Sequence, residues 1–313
     1  MQNLNIIFDT NAYRNLTFGL TEQQTREIFD KVRSEESLRN ITSILSTVTL
    51  MELMTHLADK ADPSYHHCKI AAIGAYHHVQ EENNFRLLPH PELLLEQMLF
   101  QRVDTKQQES NLTLGRVAFA IHQGPADERI LEYDTQIQGV KRIVEQHEQD
   151  FVDDILTVIT QMDKDATNWK LFQNDKTTKT NFLKYLKTDS AVNILAGAFV
   201  VRTINNLNVQ TLAEHDFINM VLEVARVFKT ALTLYIKVMQ RMTISGYNMT
   251  NVKKRRWNTI WDIYLLFCIS DENIGGKETV FVTEEEWLHD VCAEIGRPNK
   301  IIKLADYKAL LGV

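Results

Sequence analysis

Six carboxylates stand where apolar segments end or are interrupted: Asp9, Glu52, Asp262, Glu284, Glu285 and Glu286. Asp9 closes the run Ile6-Ile7-Phe8 and is followed by Thr10 and Asn11. In an open α/β sheet, ligands bind beyond the carboxyl ends of the strands, so an acid at the end of a first strand lies on that rim. The same residue type also caps turns, and both readings stay open for Asp9. Asp262 sits in "NTIWDIYLLFCI" among Trp261, Ile263, Tyr264 and Leu265. A charge in so apolar a helix needs a partner or a metal, because isolated burial is very costly. A first-turn charge complementing the helix dipole, with Asn258 or Thr259 as cap, is the competing reading. Glu52 lies beside the apolar face made by Leu50, Leu53, Met54 and Leu57, which reads as a solvated glutamate. Glu284, Glu285 and Glu286 follow "VFVT". They suit a first helical turn, with at least one aimed at the same rim as Asp9.

Two other constellations bear on chemistry. "NVKKRRW" places Lys253, Lys254, Arg255 and Arg256 beside Trp257 just ahead of the Asp262 segment. Such a run can follow a phosphate backbone while the indole stacks on a base, or it can be a solvated loop. "YHHCKIAAIGAYHH" carries His66, His67, Cys68, His77 and His78. On a helix His66 and His77 share a face, as do His67 and His78, which makes zinc a candidate beside ordinary surface or interface histidines.

The elements that must position these residues differ between the ends and the middle. Residues 4–10 read as a buried strand, and "TEQQTREIFDKVRS" as a helix capped by Thr21. Ser46 to Val48 read as a short strand leading into the helix "TLMELMTHLA", and "NFRLLP" as a third strand. From about residue 91 to 250 the chain is helical in pattern and poor in glycine. "RILEYDTQIQGVKRIVEQHEQDFVDDILTVITQM" reads as one long amphipathic helix, and "FINMVLEVARVFKTALTLYIKVMQRM" as one central bundle helix. Strands return with "ETVFVT" and "NKII", each followed by a helix. The strand–helix alternation at both ends predicts a doubly wound α/β sheet with the helical middle inserted into its connections.

Composition sets limits. The chain has 313 residues, 44% hydrophobic and 24% charged, with a formal net charge of -7. That balance is globular and gives no global pull toward nucleic acid or anionic membrane. Cys68, Cys268 and Cys292 are odd in number and widely spaced, which reads as reduced thiols in the cytoplasm rather than a disulfide framework. No secretory signal pattern and no bilayer-length apolar stretch is seen.

The order strand-Asp-x-Asn, helix Glu, helix Asp, strand-Thr-x-Glu resembles the PIN-domain family of metal-dependent nucleases. The segments that carry the resemblance are "IIFDTNAYRNL", "STVTLMELMTHL", "WDIYLLFCI" and "VFVTEEEWL". The resemblance implies a three-layer α/β/α sandwich around a parallel sheet, with residues 1–90 and 255–313 as the nuclease domain and 91–254 as a helical insertion. It implies that Asp9, Glu52, Asp262 and Glu285 hold Mg²⁺ or Mn²⁺, with Glu284 as the alternative to Glu285. Asn11, Arg14 and Thr283, with the 253–257 run, fall on the nucleic-acid side. The implied activity is phosphodiester hydrolysis by an endonuclease, with RNA favoured over a structure-specific DNase role, in a toxin or antiviral effector. A regulatory protein or a second copy of the chain is expected on the insertion. A PIN-like scaffold with an idle site is the non-enzymatic alternative. Two departures stand out: the fourth acid is Glu where the family usually has Asp, and the stretch between Glu52 and Asp262 is long. A haloacid-dehalogenase-type phosphatase also opens with strand-Asp-x-Asp, but position 11 here is Asn.

Overall fold

The computed structural model describes residues 3–81, 85–162, 171–245, 258–269 and 276–313. The chain divides into two compact units, residues 1–144 with 268–313, and residues 145–267. The first unit opens with β1 (Leu4–Phe8), α1 (Thr10–Leu16), α2 (Glu22–Leu38), β2 (Ile41–Ser43) and β3 (Leu45–Ser46). It continues through α3 (Thr47–Leu57), α4 (Tyr65–Val79), β4 (Leu87–Leu88), α5 (Pro91–Phe100), α6 (Thr105–Gln123) and α7 (Ala126–Glu132). Helix α8 (Asp134–Met162) runs on into the residues of the second unit, which then holds α9 (Leu171–Asn174), α10 (Lys176–Tyr185), α11 (Asp189–Asn206), α12 (Glu214–Val227), α13 (Lys229–Ser245) and α14 (Asn258–Leu266). The first unit resumes with β5 (Glu278–Val282), α15 (Glu286–Glu294), β6 (Ile301–Ile302) and α16 (Leu304–Leu311).

The main sheet is parallel, in the order β2-β1-β5-β6, and β3 pairs with β4 in a second small parallel sheet. Its topology dictates the layers. The connection from β1 to β2 moves one way along the sheet and that from β5 to β6 moves the other way. Right-handed crossovers then put their helices on opposite faces, which gives the three-layer α/β/α arrangement. The direction reverses between β1 and β5, so the crevice of an open sheet opens beyond their carboxyl ends. The large helical insertion enters between the strands of this sheet in sequence, after β4 and before β5.

All five residues of β1 are buried, as expected for a strand covered on both faces. On one face the ring of Phe8 meets those of Tyr13, His78 and Tyr307 at centroid distances of 5.0, 5.1 and 5.3 Å. Helices α2 and α4 approach closely there. A Cβ on Gly74 would lie 2.5 Å from the Phe29 ring, so only glycine fits without displacing it.

Several sequence expectations are corrected. The strand expected at Ser46–Val48 gives way after Ser46, whose hydroxyl caps α3 by accepting from the Val48 N–H at 3.2 Å. The helix expected over 129–162 breaks at Tyr133 (φ -99°, ψ 18°), leaving α7 and α8. The helix expected over 217–242 breaks at Phe228 (φ -107°, ψ 29°), whose buried ring packs 4.9 Å from that of Phe267. The histidines of α4 do not converge. Eleven helical residues separate each expected pair by about 16 Å along the axis. His77 bonds Asp30 at 2.8 Å and His122 at 2.9 Å, while His78 bonds Glu36 at 2.8 Å and Tyr13 at 3.1 Å.

Candidate active site

Asp9 is the residue on which β1 ends, and its N–H still bonds the Val282 carbonyl of β5 at 3.1 Å. The backbone stays extended there (φ -74°, ψ 175°), and the carboxylate caps α1 by accepting the Ala12 N–H on Oδ1. The capping role and the rim position therefore coexist in one residue. Its Oδ2 accepts from the hydroxyl of Thr283, the residue immediately after β5. Thr283 is fully buried, and its oxygen in turn accepts the Glu285 N–H at 3.1 Å. His289, four residues after Glu285 on α15, bonds the Thr283 carbonyl at 3.0 Å.

Two further carboxylates are tied to the residues that follow Asp9. Thr10, next to Asp9, donates its hydroxyl to Glu52 Oε2, while Thr49 on the same helix as Glu52 donates to the Phe8 carbonyl at 3.0 Å. Asn11 donates to Glu285 Oε1 at 3.0 Å. The motif Asp9-Thr10-Asn11 thus reaches three ways, to Thr283, to Glu52 and to Glu285, at the switch point between β1 and β5. Glu284 Oε1 accepts the Leu304 N–H at the start of α16 at 2.9 Å, and the exposed Glu286 pairs with Lys303 at 2.6 Å. Of the three consecutive glutamates, Glu285 is the one tied to the Asp9 motif.

The electrostatics of Asp9 follow first from its burial. Burial pushes the Asp9 carboxyl up, the bonds from Thr283 and Ala12 pull it back, and the negative charges of Glu285 and Glu284 push it up again. It ends at about 6, against an ordinary value of 3.8. Burial is the main cause of the rise and the neighbouring acids add to it, a cost that an incoming cation would relieve.

The remaining expected residues are placed as follows. Arg14, half-buried on α1, donates to Ser64 Oγ at 3.4 Å. Asp262 is half-buried on α14 and belongs to the second unit. Lys253, Lys254, Arg255, Arg256 and Trp257 lie outside the described residues. Other side chains of metal-ligating type are His90 and Glu92 at the start of α5, and His147 on α8, whose ring meets Trp261 and Tyr264 edge-on. The three cysteines are buried free thiols, and burial pushes Cys268 up to about 12. No described helix is long and apolar enough to cross a membrane.

Thr49 and His289 escaped the sequence reading. Thr49 precedes Glu52 by three residues, a spacing that puts both near one side of α3. His289 follows Glu285 by four, which returns its ring toward the strand end. Comparison with known proteins finds no matching family profile, no matching curated protein and no matching solved structure.

Proposed function

We propose that the α/β unit is the catalytic part of a PIN-like, divalent-metal-dependent endonuclease that hydrolyses RNA, acting in the cytoplasm as a toxin or antiviral effector. The observation that carries this reading is Asp9: a buried carboxylate at the sheet's switch point, with its carboxyl raised to about 6 beside two further acids. The donor set is all oxygen, from carboxylates and hydroxyls, which suits Mg²⁺ or Mn²⁺ rather than softer metals. Asp9, Glu52 and Glu285 are the residues of this unit that would hold the ion, with Glu284 as reserve. When bound, such an ion supplies the Lewis acidity that phosphodiester hydrolysis needs.

The protein's own contribution is orientation. Thr283 and the Ala12 N–H fix both oxygens of Asp9, Asn11 turns Glu285, and Thr10 turns Glu52. Sequence order makes Asp262 the remaining acid of the set. The 253–257 run is assigned to the phosphate backbone, and the helical insertion to a regulatory protein or a second copy of the chain. RNA is preferred to DNA on the family resemblance alone.

The test is incubation of purified protein with labelled RNA and DNA panels in Mn²⁺, Mg²⁺ or EDTA. The expected result is metal-dependent RNA cleavage, absent in EDTA and lost in folded Asp9→Asn, Glu285→Gln and Asp262→Asn. Cleavage confined to DNA would move the reading to a DNase. Intact substrate under every condition would leave a PIN-like scaffold without activity.

A further inference from the structure

The second unit contains a cleft of about 660 Å³ between α8 and α11, floored by residues of α13 and α14. That volume falls in the range of about 300–1,000 Å³ typical of small-molecule sites. Most of the lining is apolar, with the aromatic rings of Tyr235 and Tyr264 in the floor and that of Phe151 beside them on α8. Phe151 and Tyr235 meet edge to face, with centroids 5.4 Å apart at 82°. At the mouth, Ile194 and Val201 are exposed, an arrangement that leaves apolar surface facing water where a ligand would enter.

The polar lining is unbalanced. One wall is α8, which presents Asp150, Asp153 and Asp154, and the opposite wall supplies a single cation, Arg202. Arg202 is engaged with Asp150 at 3.3 Å, and Asp153 accepts from the Gln149 side chain at 2.9 Å. Asp154 has no hydrogen-bonding partner among the described residues, although water reaches it. Tyr235 is only 8% exposed, yet its hydroxyl likewise has no hydrogen-bonding partner among the described residues. Asp154's charge adds to burial in raising the Tyr235 hydroxyl, and the Asp154 carboxyl is itself raised, by partial burial and by Asp150 and Asp153, against the pull of Arg202. A phenol, a carboxylate whose nearby cation, Arg202, is already engaged with Asp150, and an aromatic lining thus share one cavity. Each is a recognised partner of an ammonium group, through hydrogen bonds, charge and ring faces respectively.

We propose that this cleft binds a small organic cation, an amine with an apolar body, with the ammonium between Asp154 and Tyr235 and the body on the aromatic floor. The site lies wholly within the second unit and is independent of the nuclease reading. An anion is excluded by the three carboxylates, and a neutral apolar molecule would leave Asp154 and Tyr235 covered without partners, at a cost.

The test is titration calorimetry of the full chain in EDTA with 4-phenylbutylamine as probe, 4-phenylbutan-1-ol as its neutral counterpart and spermidine as a cation without an apolar body. Saturable binding of the phenylalkylamine below about 1 mM is expected, with the alcohol and spermidine each weaker by roughly tenfold or more. Asp154→Asn, a change at a water-reached position, should weaken the amine by a similar factor, and Tyr235→Phe by a smaller one. Asp9→Asn should leave amine binding intact, which separates this cleft from the acids of the first unit. The proposal is overturned if the alcohol binds as well as the amine, if Asp154→Asn changes nothing, or if no probe binds saturably.

Discussion

Two buried carboxylates of the α/β unit, Asp9 and Glu36, meet opposite treatment. Both are almost sealed from water, at 5% and 4% exposure. Glu36 Oε1 accepts from Ser43 Oγ at 2.7 Å, from His78 Nε2 at 2.8 Å and from the Tyr307 hydroxyl. Burial pushes its carboxyl up, but the charge and bond of His78, with the two hydroxyls, outweigh that and hold it below the usual glutamate range. Asp9 receives two hydrogen bonds and then faces other acids, and its carboxyl ends at about 6. A carboxylate that only has to hold helices together is given donors until its charge is satisfied. A buried carboxylate left short of positive charge among other carboxylates is a candidate functional group. Glu36 ties α2, β2, α4 and α16 together, whereas Asp9 is the acid that the proposed function assigns to a metal.

This contrast is broken most directly by removing each charge. Asp9→Asn should reduce phosphodiester cleavage by roughly 100- to 1,000-fold or more, the scale expected when one electrostatic partner of a reaction is lost. Without metal at pH 7 the same variant should unfold at a higher temperature than wild type, because the cost of burying the charge and its repulsion with Glu285 and Glu284 are both relieved. Thermal melts in EDTA check this, and a lowered melting temperature would count against the strained-acid reading. Glu36→Ala should do the reverse. It strands His78, Ser43 and Tyr307 inside the core and should cost about 3 kcal/mol or more in urea unfolding. Activity per folded molecule should survive. Equal losses of stability in both variants would mean that the two carboxylates are held alike.

How much of this was legible beforehand differs between the two acids. Asp9 announced itself because an apolar strand ended on it, and the Thr21 cap and the strand ending at Thr283 were equally plain. Glu36 was hidden in "RSEESL", where its neighbours are charged. Its signal was spacing: Thr25, Phe29, Val32 and Glu36 are the buried residues of α2, so Glu36 occupies an apolar stripe. Glu52 read as solvated because it lies off its helix's apolar face, and its bond to Thr10 depends on how α3 meets the end of β1. Strand β2 has three residues and β3, β4 and β6 two each, too short for any alternating pattern to stand out. The breaks at Tyr133 and Phe228 fall inside helical patterns that continue unbroken, since an aromatic residue there is compatible with either helix or turn.

The pH dependence of stability sharpens the same comparison. Asp9's folded value of about 6 lies above its ordinary 3.8, so the native state holds the proton more tightly than the unfolded chain. Its ionisation therefore lowers stability as pH rises from about 4 to 6, by on the order of 3 kcal/mol at most in metal-free buffer. Glu36 is depressed, so its contribution is complete above the ordinary glutamate value of 4.5 and is lost as pH falls through its lower folded value. Asp9→Asn should flatten the fall between pH 4 and 6, and Glu36→Gln should flatten the acid limb below it. Urea titrations across pH 3–7 in EDTA measure both. Added Mn²⁺ should raise wild-type stability at pH 7 and leave Asp9→Asn nearly unmoved, since only the former carries the charge the ion relieves.

The smallest effect concerns Thr283. Its hydroxyl is a relay, donating to Asp9 Oδ2 and accepting the Glu285 N–H. Thr283→Val keeps the shape and removes the relay, leaving one acceptor and one backbone donor without that partner. A loss of about 1–2 kcal/mol in stability is expected from two such groups. The bond now favours the ionised form of Asp9, so its removal should raise the Asp9 value further and move the rise of cleavage rate with pH to higher pH. Thr283→Ser keeps the hydroxyl and should restore the wild-type profile even where it packs less well. A valine variant that loses stability but keeps the wild-type pH profile would show that Thr283 only fills space, and that Asp9 is oriented by Ala12 and the strand end alone.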